Sequence, residues 1–265
     1  MVSFDFSSLI DLMNIYPPEV IGVISFFFCT VSILTLFRLF GESGLVLYII
    51  VAFLSANLQV LKAGQYSFYD QPIVLGTLVF SSTFLVMDMI TEYYGVHAAR
   101  RAVWLSFGAC VLMTGFMMLA LGVRPLTLTP DSPYLCFNRA HDAISVLFLP
   151  APAIFAASLI SYVISQYTDI RIYQFIKVLT KARALWLRTA LSNILASLMD
   201  NIIFSTLAWV VFASHPIDGK TLFYSYILGT YGFRLLLSIL NIPVMYLSRL
   251  LVQEKRKFDV PLSKV

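Results

Sequence analysis

Long apolar runs, separated by short stretches that hold nearly all of the charge, constrain this chain more than any other feature. A soluble core does not require such runs. A bilayer does, because about 20 apolar residues are needed for a helix to span roughly 30 Å of hydrocarbon. With no water in the membrane core, each run has to satisfy its own backbone hydrogen bonds, so helices are expected. The alternating pattern of a membrane barrel is absent. Only 12% of the residues are charged and 59% are hydrophobic, whereas a soluble domain carries about 25% charged residues. The fold expected is an all-α integral membrane protein, a polytopic bundle of about seven transmembrane helices.

The seven runs are Val20–Phe40, Leu45–Leu61, Pro72–Tyr94, Ala102–Val123, Ala143–Gln166, Leu185–Ala213 and Leu222–Leu251. The last two exceed what a bilayer needs and are expected to tilt, bend or extend into the interface. Pro243 is the expected kink point of the seventh. The whole chain reads as one membrane domain: an external N-terminal segment over 1–19, the bundle over 20–251 and a cytoplasmic tail over 252–265. The N-terminus does not read as a signal peptide, since Asp5, Asp11 and Glu19 stand where a signal is basic.

Orientation follows from the excess of Lys and Arg in cytoplasmic loops. With the N-terminus outside, thirteen basic residues fall on the inner side: Arg38, Arg100, Arg101, Arg171, Lys177, Lys181, Arg183, Arg188, Arg249, Lys255, Arg256, Lys257 and Lys264. Four fall outside, Lys62, Arg124, Arg139 and Lys220, while Arg234 lies within the seventh run. This asymmetry predicts an N-out, C-in topology in the cell inner membrane. The net charge of +4 therefore sets orientation and is no signal for nucleic acid. Cys29, Cys110 and Cys136 have neither disulfide nor metal spacing. No metal, cofactor or catalytic residue is expected. His97, His141 and His215 all fall at run ends or in loops and read as solvated surface.

Ionisable side chains inside spans carry an insertion penalty of about 2.5–3.5 kcal/mol each, so they are functional candidates by default. Asp88, Glu92, Asp200 and Arg234 qualify. Asp200 and Arg234 each lie near mid-depth of adjacent antiparallel runs, so they can meet. Such a pair is either structural neutralisation or part of a midplane substrate or proton site. Asp88 and Glu92 are four residues apart and share a helix face; Glu92 also has the alternative of pairing with Arg100 or Arg101 at the interface. Asn57 and Gln59 are amides that need partners in the bundle or in a ligand. Ser192, Asn193 and Ser197 precede Asp200 on one helix, where small polar residues also serve close packing. Asn57, Asp88, Glu92, Asp200 and Arg234 form the candidate substrate-binding set.

The stretch Phe84–Arg101, FLVMDMITEYYGVHAARR, resembles the signature of the queuosine precursor transporter family, through Asp88, Glu92, Tyr94, Gly95, Ala99 and Arg100. Ala56–Lys62, ANLQVLK, is similar to that family's Ala-Asn helix ending in Lys. Ser158–Asp169, SLISYVISQYTD, resembles its Ser-Gln-x-x-Asp helix end. Leu185–Phe204 looks like its Leu-Trp-x-Arg start followed by Ser and Asp-x-x-x-Phe, here Trp186, Arg188, Ser192, Asp200 and Phe204. The last run looks like its basic residue and Pro-x-x-Tyr end, with Arg234, Pro243 and Tyr246.

The resemblance implies import of a deazaguanine base: cyano-deazaguanine, aminomethyl-deazaguanine or queuine, salvaged for transfer-RNA modification. The residues suit that chemistry. A guanine-like edge presents two adjacent donors, which one carboxylate accepts together. The carbonyl opposite needs a donor such as Asn or Arg, and a flat ring favours aromatic faces. The partners expected are this small molecule and the lipid bilayer, with homo-oligomerisation left open. No G-x-x-x-x-G-K-[ST] loop is present for ATP hydrolysis. The mechanism expected is a secondary carrier, with the membrane subunit of an ATP-driven vitamin uptake complex as the alternative. An intramembrane enzyme is a third reading. It lacks support, because Asp88 sits in Met-Asp-Met, Asp200 in Met-Asp-Asn, and H-E-x-x-H is absent.

Overall fold

The computed structural model describes residues 6–67, 73–127, 132–148, 152–213 and 216–258. Asp5, Pro72, His215 and the tail from 259, including Lys264, lie outside the described residues. The architecture is helical throughout: α1 Phe6–Asn14, α2 Pro18–Phe40, α3 Glu42–Gln59, α4 Thr77–Tyr93, α5 Val96–Leu121, α6 Leu135–Phe148, α7 Pro152–Leu179, α8 Leu185–Thr206, the single turn α9 Gly219–Thr221, and α10 Gly229–Phe258. Two π-helical segments, Leu207–Val211 and Leu222–Leu228, continue α8 and precede α10. A two-residue antiparallel ladder, β1 Ala63–Gly64 with β2 Ile73–Val74, lies between α3 and α4.

The distribution of polarity is that of a lipid-embedded bundle. The exterior carries Phe27, Phe28 and Val31 on α2, Leu112 and Leu119 on α5, and Leu236 and Ile239 on α10. The interior holds Asp88, Asp169, Arg188, Asn193, Asp200, Arg234 and Asn241. Water as solvent would select the opposite arrangement. Among the described residues, five helical segments are long and apolar enough to cross a membrane: Pro18–Phe40, Glu42–Gln59, Val96–Leu121, Leu185–Val211 and Gly219–Val252. The protein is an all-α membrane protein.

Helix α4 is the hub. Every residue from Phe80 to Thr91 is buried, and α2, α3, α5, α7, α8 and α10 all pack on it. A helix surrounded by neighbours has no need of a lipid-facing stripe, so α4 is free to carry Ser81, Ser82, Thr83 and Asp88. Helices α7 and α8 form an antiparallel pair with the most extensive helix–helix contact in the bundle.

Two turns require glycine. Gly41 joins α2 to α3 at φ 60°, and its N–H caps α2 by donating to the Phe37 carbonyl at 2.9 Å. Gly76 starts α4 at φ 81°, and a Cβ there would lie 2.7 Å from the Ala56 carbonyl oxygen. The start of α4 is thereby pressed against the end of α3. At the opposite end of the chain, Asp218 caps α9 by accepting the N–H groups of Lys220 at 3.1 Å and Thr221 at 3.0 Å. The Thr221 hydroxyl and these N–H bonds hold the Asp218 carboxyl below the usual carboxylate range.

The fifth apolar run differs from expectation. The helix there is not Ala143–Gln166 but α7, Pro152–Leu179, with α6 ending at Phe148. Pro152 explains the start. Proline disrupts a helix interior by about 3 kcal/mol but fits the first position, where its missing N–H is not needed. At the other end, Asp169 looked like a run terminus because it is charged. In the fold it is buried, and the helix continues ten residues beyond it to Leu179. Helix α10 runs unbroken through Pro243.

A candidate substrate cavity and a buried polar column

The cavity lies between the ends of α3 and α8, the start of α4 and the segment leading into α10. The π-helical segments shape it. A π turn widens the helix and recurs at functional sites; here each supplies one ring to the cavity, Trp209 from the first and Tyr226 from the second. Their centroids are 5.1 Å apart. Phe80 and Phe204 add two further rings.

The polar groups of the cavity are Asn57, Asp200, Asn201 and Arg234, with Thr77, Ser158, Ser161, Ser205 and Thr230 between them. Arg234 Nη1 donates to Asp200 Oδ2 at 2.6 Å, and both side chains are buried, at 8% and 3% exposure. The same nitrogen reaches the Ser197 carbonyl at 3.5 Å, and the guanidinium lies 5.4 Å from the centre of the Phe80 ring. Asp200 Oδ1 accepts only the Ser165 hydroxyl, at 3.4 Å. A carboxylate has about four lone-pair sites, so about two remain for a ligand. Asn201 is locked by its bonds to the Ile227 carbonyl at 2.7 Å and the Thr230 hydroxyl at 3.0 Å. Asn57 donates to the Phe53 carbonyl at 2.9 Å. The cavity volume is about 60 Å³. Ligand pockets usually run to about 300–1,000 Å³, so this cavity is contracted and has to widen around a bicyclic base.

Asn57, Asp200 and Arg234, three of the expected site residues, therefore converge. Asp88 and Glu92 do not line this cavity. They face α7 and α8 further along α4, in a second polar system. Glu92 does not pair with Arg100 or Arg101. Arg101 pairs with Glu42 of α3, and Arg100 lies over the Tyr167 ring. Glu92 instead meets Arg188 at 2.7 Å and Lys177 at 2.9 Å, and accepts the Tyr173 hydroxyl at 3.1 Å. Arg188 also donates through Nε to the Tyr173 oxygen at 3.1 Å. Counted from the sequence as a loop cation, Arg188 is in fact buried, at 1% exposure. Its charge is neutralised by Glu92, the turn before α8 having brought it inward.

Four residues of this second system were not singled out individually: Asp169, Gln166, Ser165 and Thr189, all fully buried. Asp169 lies on α7 between Gln166, which bonds Thr83 of α4, and Tyr173, which bonds Glu92 of α4, and so faces Asp88. Ser192 donates to Asp88 Oδ1 at 3.3 Å. Gln166 donates to the Thr83 hydroxyl at 3.2 Å. The three-residue spacing of Gln166 and Asp169 was legible as one helix face; what hid it was ending the helix at Gln166.

This fold and site define a polytopic helical membrane protein with its polar groups turned inward around a contracted, ring-lined cavity. The chain belongs to the putative vitamin uptake transporter family, whose model matches residues 74–248. It is 26% identical over 223 residues to the probable queuosine precursor transporter of Bacillus subtilis (strain 168), covering 84% of this chain and 90% of that one. No solved structure matches it.

Proposed function

We propose that this protein imports a queuosine precursor, a deazaguanine base, across the inner membrane as a secondary carrier. The observation that carries this reading is the Asp200–Arg234 pair set among Asn57, Phe80, Trp209 and Tyr226 in one buried cavity. Asp200 accepts the two adjacent donors of the guanine-like edge through the lone pairs that Arg234 and Ser165 leave open. Asn57 and Arg234 supply donors to the carbonyl of the base. The rings take its faces, each aromatic pair adding about 0.5–1.5 kcal/mol beyond area burial. Asp88 and Glu92 are assigned to the second polar system and not to base recognition.

The topology that accompanies this reading has seven spans, the five apolar helices together with α4 at the centre and α7 beside it. Helix α4, of 17 residues, is about 25 Å long and α7, of 28, about 42 Å. With the N-terminus outside, the cavity opens toward the external half and the Glu92 cluster lies at the cytoplasmic end. Moving Arg188 into the interior leaves twelve basic residues inside against four outside.

The test is binding and uptake by Asp200→Asn, which keeps shape but turns a donor toward the donors of the base. Loss of a charged hydrogen-bond partner weakens binding by about 1.5–3 kcal/mol, roughly ten- to more than a hundredfold. Parent-level affinity in a folded Asp200→Asn protein removes Asp200 from the site. Uptake of labelled base in a host with no coupling ATPase module distinguishes a carrier from the subunit of an ATP-driven complex. Cells unable to make queuosine, scored for queuosine in transfer RNA, give the readout.

A further inference from the structure

We propose that Asp88 of α4 and Asp169 of α7, which face one another between the Thr83–Gln166 and Glu92–Tyr173 contacts, form a proton-binding site that couples substrate movement to a proton gradient. The proposal rests on the transport reading above but concerns a different part of the molecule.

Both carboxyls are fully buried. Ser192 supplies one donor, to Asp88 Oδ1. Asp88 Oδ2 and both oxygens of Asp169 have no hydrogen-bond partner among the described residues. Three of the four carboxyl oxygens thus lack a donor in a dry interior, where an unpaired charged oxygen is strongly unfavourable. The cations nearby, Arg188 and Lys177, reach Glu92 and neither carboxyl of the pair, and Arg188 Nη1 has no hydrogen-bond partner among the described residues. Two adjacent carboxylates cannot both stay charged without water or a counter-ion. A proton removes one charge and provides an O–H donor for the neighbouring carboxylate, which is what this arrangement lacks.

The surroundings of the pair are also polar beyond what the helix packing uses. Asn193, at 1% exposure, has neither amide atom paired, and the buried hydroxyl of Thr189 one turn earlier is also unpaired. Both lie on the buried strip of α8 that carries Ser192. The charged and titratable groups around the pair are Glu92 on α4, Tyr173 and Lys177 on α7, and Arg188 on α8. From α10, Arg249 acts on Tyr93, next to Glu92. Tyr48 of α3 and Cys29 of α2 meet α4 at Ser82 instead, and Glu42 of α3 is held by Arg101 of α5.

A proton suits the site better than a metal cation. Sodium sites in carriers draw on unwound backbone carbonyls. Here α4, α7 and α8 are continuous helices, so their carbonyls are engaged in their own helices and a metal shell would have to come from side chains alone.

The position of the pair is that of a coupling site. On α7, Asp169 lies one turn beyond Ser165, which bonds Asp200 in the cavity. On α4, Asp88 lies one turn before Glu92, whose side chain is 19% exposed and bonded to a partly exposed Lys177. From Asp200 to Arg188 along α8 is twelve residues, about 18 Å. A ladder of polar groups therefore links the cavity through the pair to the far end of the bundle. Protonation is written simply: one carboxylate takes a proton to become a carboxylic acid and returns it on the other side.

The experiment uses full-length protein in liposomes, neutral cyano-deazaguanine as the probe and a clamped membrane potential. Exchange of labelled for unlabelled base needs no gradient; accumulation does. One pH unit corresponds to 1.36 kcal/mol, or tenfold, so a two-unit gradient drives up to about 100-fold accumulation per coupled proton. The parent is expected to accumulate the base under that gradient. Asp88→Asn and Asp169→Asn are expected to exchange it at near the parent rate but to lose accumulation. In the infrared, the parent is expected to show a protonated carboxyl C=O band that responds to pH. Asp169→Glu, which keeps the carboxyl, is expected to shift that band, so the proposal stays testable if the Asn variants do not fold. A parent that exchanges base but ignores the proton gradient, one driven by sodium at constant pH, variants that still accumulate, or a parent without the band would each overturn the proton site. A parent that neither binds nor exchanges any deazaguanine overturns the transport reading itself.

Discussion

Removing the carboxyl of Asp200 tests whether the mid-bundle ion pair is dry. In Asp200→Ala the Arg234 guanidinium keeps the Ser197 carbonyl at 3.5 Å and the Phe80 ring at 5.4 Å. It loses its 2.6 Å carboxylate partner, and its Nε already has no hydrogen-bond partner among the described residues. Breaking a buried pair from one side destabilises by about 3–5 kcal/mol. The residual cation–π contact offsets about 0.5–2 kcal/mol at most. The net expectation is a loss of about 3 kcal/mol, a factor on the order of 100 in the folded-to-unfolded ratio. Removing both charges in Asp200→Leu/Arg234→Leu is expected to recover most of it, since well-packed apolar replacements of buried pairs are often neutral or stabilising. Equilibrium unfolding of the full chain in detergent micelles or bicelles, run on the parent, Asp200→Ala, the single variants Asp200→Leu and Arg234→Leu and the double variant, measures the coupling directly. If Asp200→Ala loses less than about 1 kcal/mol and the double variant is no more stable than the single, the pair is solvated like a surface bridge. The dry-cavity argument then fails with it.

Three further outcomes follow from the geometry. A reporter fused after Val265 is expected to read cytoplasmic, and an external reading refutes the N-out, seven-span arrangement. Glu92→Ala is expected to destabilise more than Arg188→Ala: the first leaves a 1%-exposed guanidinium without its carboxylate, while the second leaves Glu92 still bonded to Lys177 at 2.9 Å. Thermal melts in detergent that reverse this order contradict the burial assigned to Arg188. Of the tryptophans Trp104, Trp186 and Trp209, Trp209 lines the cavity. Deazaguanine binding is expected to change intrinsic fluorescence in the parent, and Trp209→Phe is expected to remove that response; a response that survives intact places the base elsewhere.

Much of the bundle was legible because the bilayer imposes a length on each apolar run, and six of the seven runs correspond to helices, or helices with π extensions, in the same order. The fifth was misplaced by two effects that hydropathy does not separate. Pro152 delays the helix start, and a charged residue at 169 looks like an exit from the membrane when its helix is shielded by neighbours. The site divided the same way. Asp200 and Arg234 were found because depth along adjacent antiparallel helices is simple arithmetic at about 1.5 Å per residue. Asp88 was singled out as costly in lipid, but Asp169, read as the last residue of a helix-end motif just past the fifth run, was not connected with it. Arg188 was missed for a related reason: a cation near a run end counts as an orientation signal unless a buried carboxylate waits on the next helix. The π-helical segments at Leu207–Val211 and Leu222–Leu228 leave no composition signature distinct from the α-helices they extend.

Those two segments and the polar ladder together explain why one small bundle can hold two chemistries apart. The rings of Trp209 and Tyr226 sit on wide turns at one end, where side chains can shift to open a cavity now only about 60 Å³ in volume. The carboxyl pair and Ser192 sit on three continuous helices, where the backbone has no such slack. Ser165 bonds Asp200 and stands one turn from Asp169, so any movement of Asp200 toward a ligand pulls on the face of α7 that carries the second site. The hydrogen bond of that link is 3.4 Å long, weak enough to break and reform within a cycle. The proposed carrier needs that property, because a rigid connection would hold both sites in one state and a missing one would let them act independently.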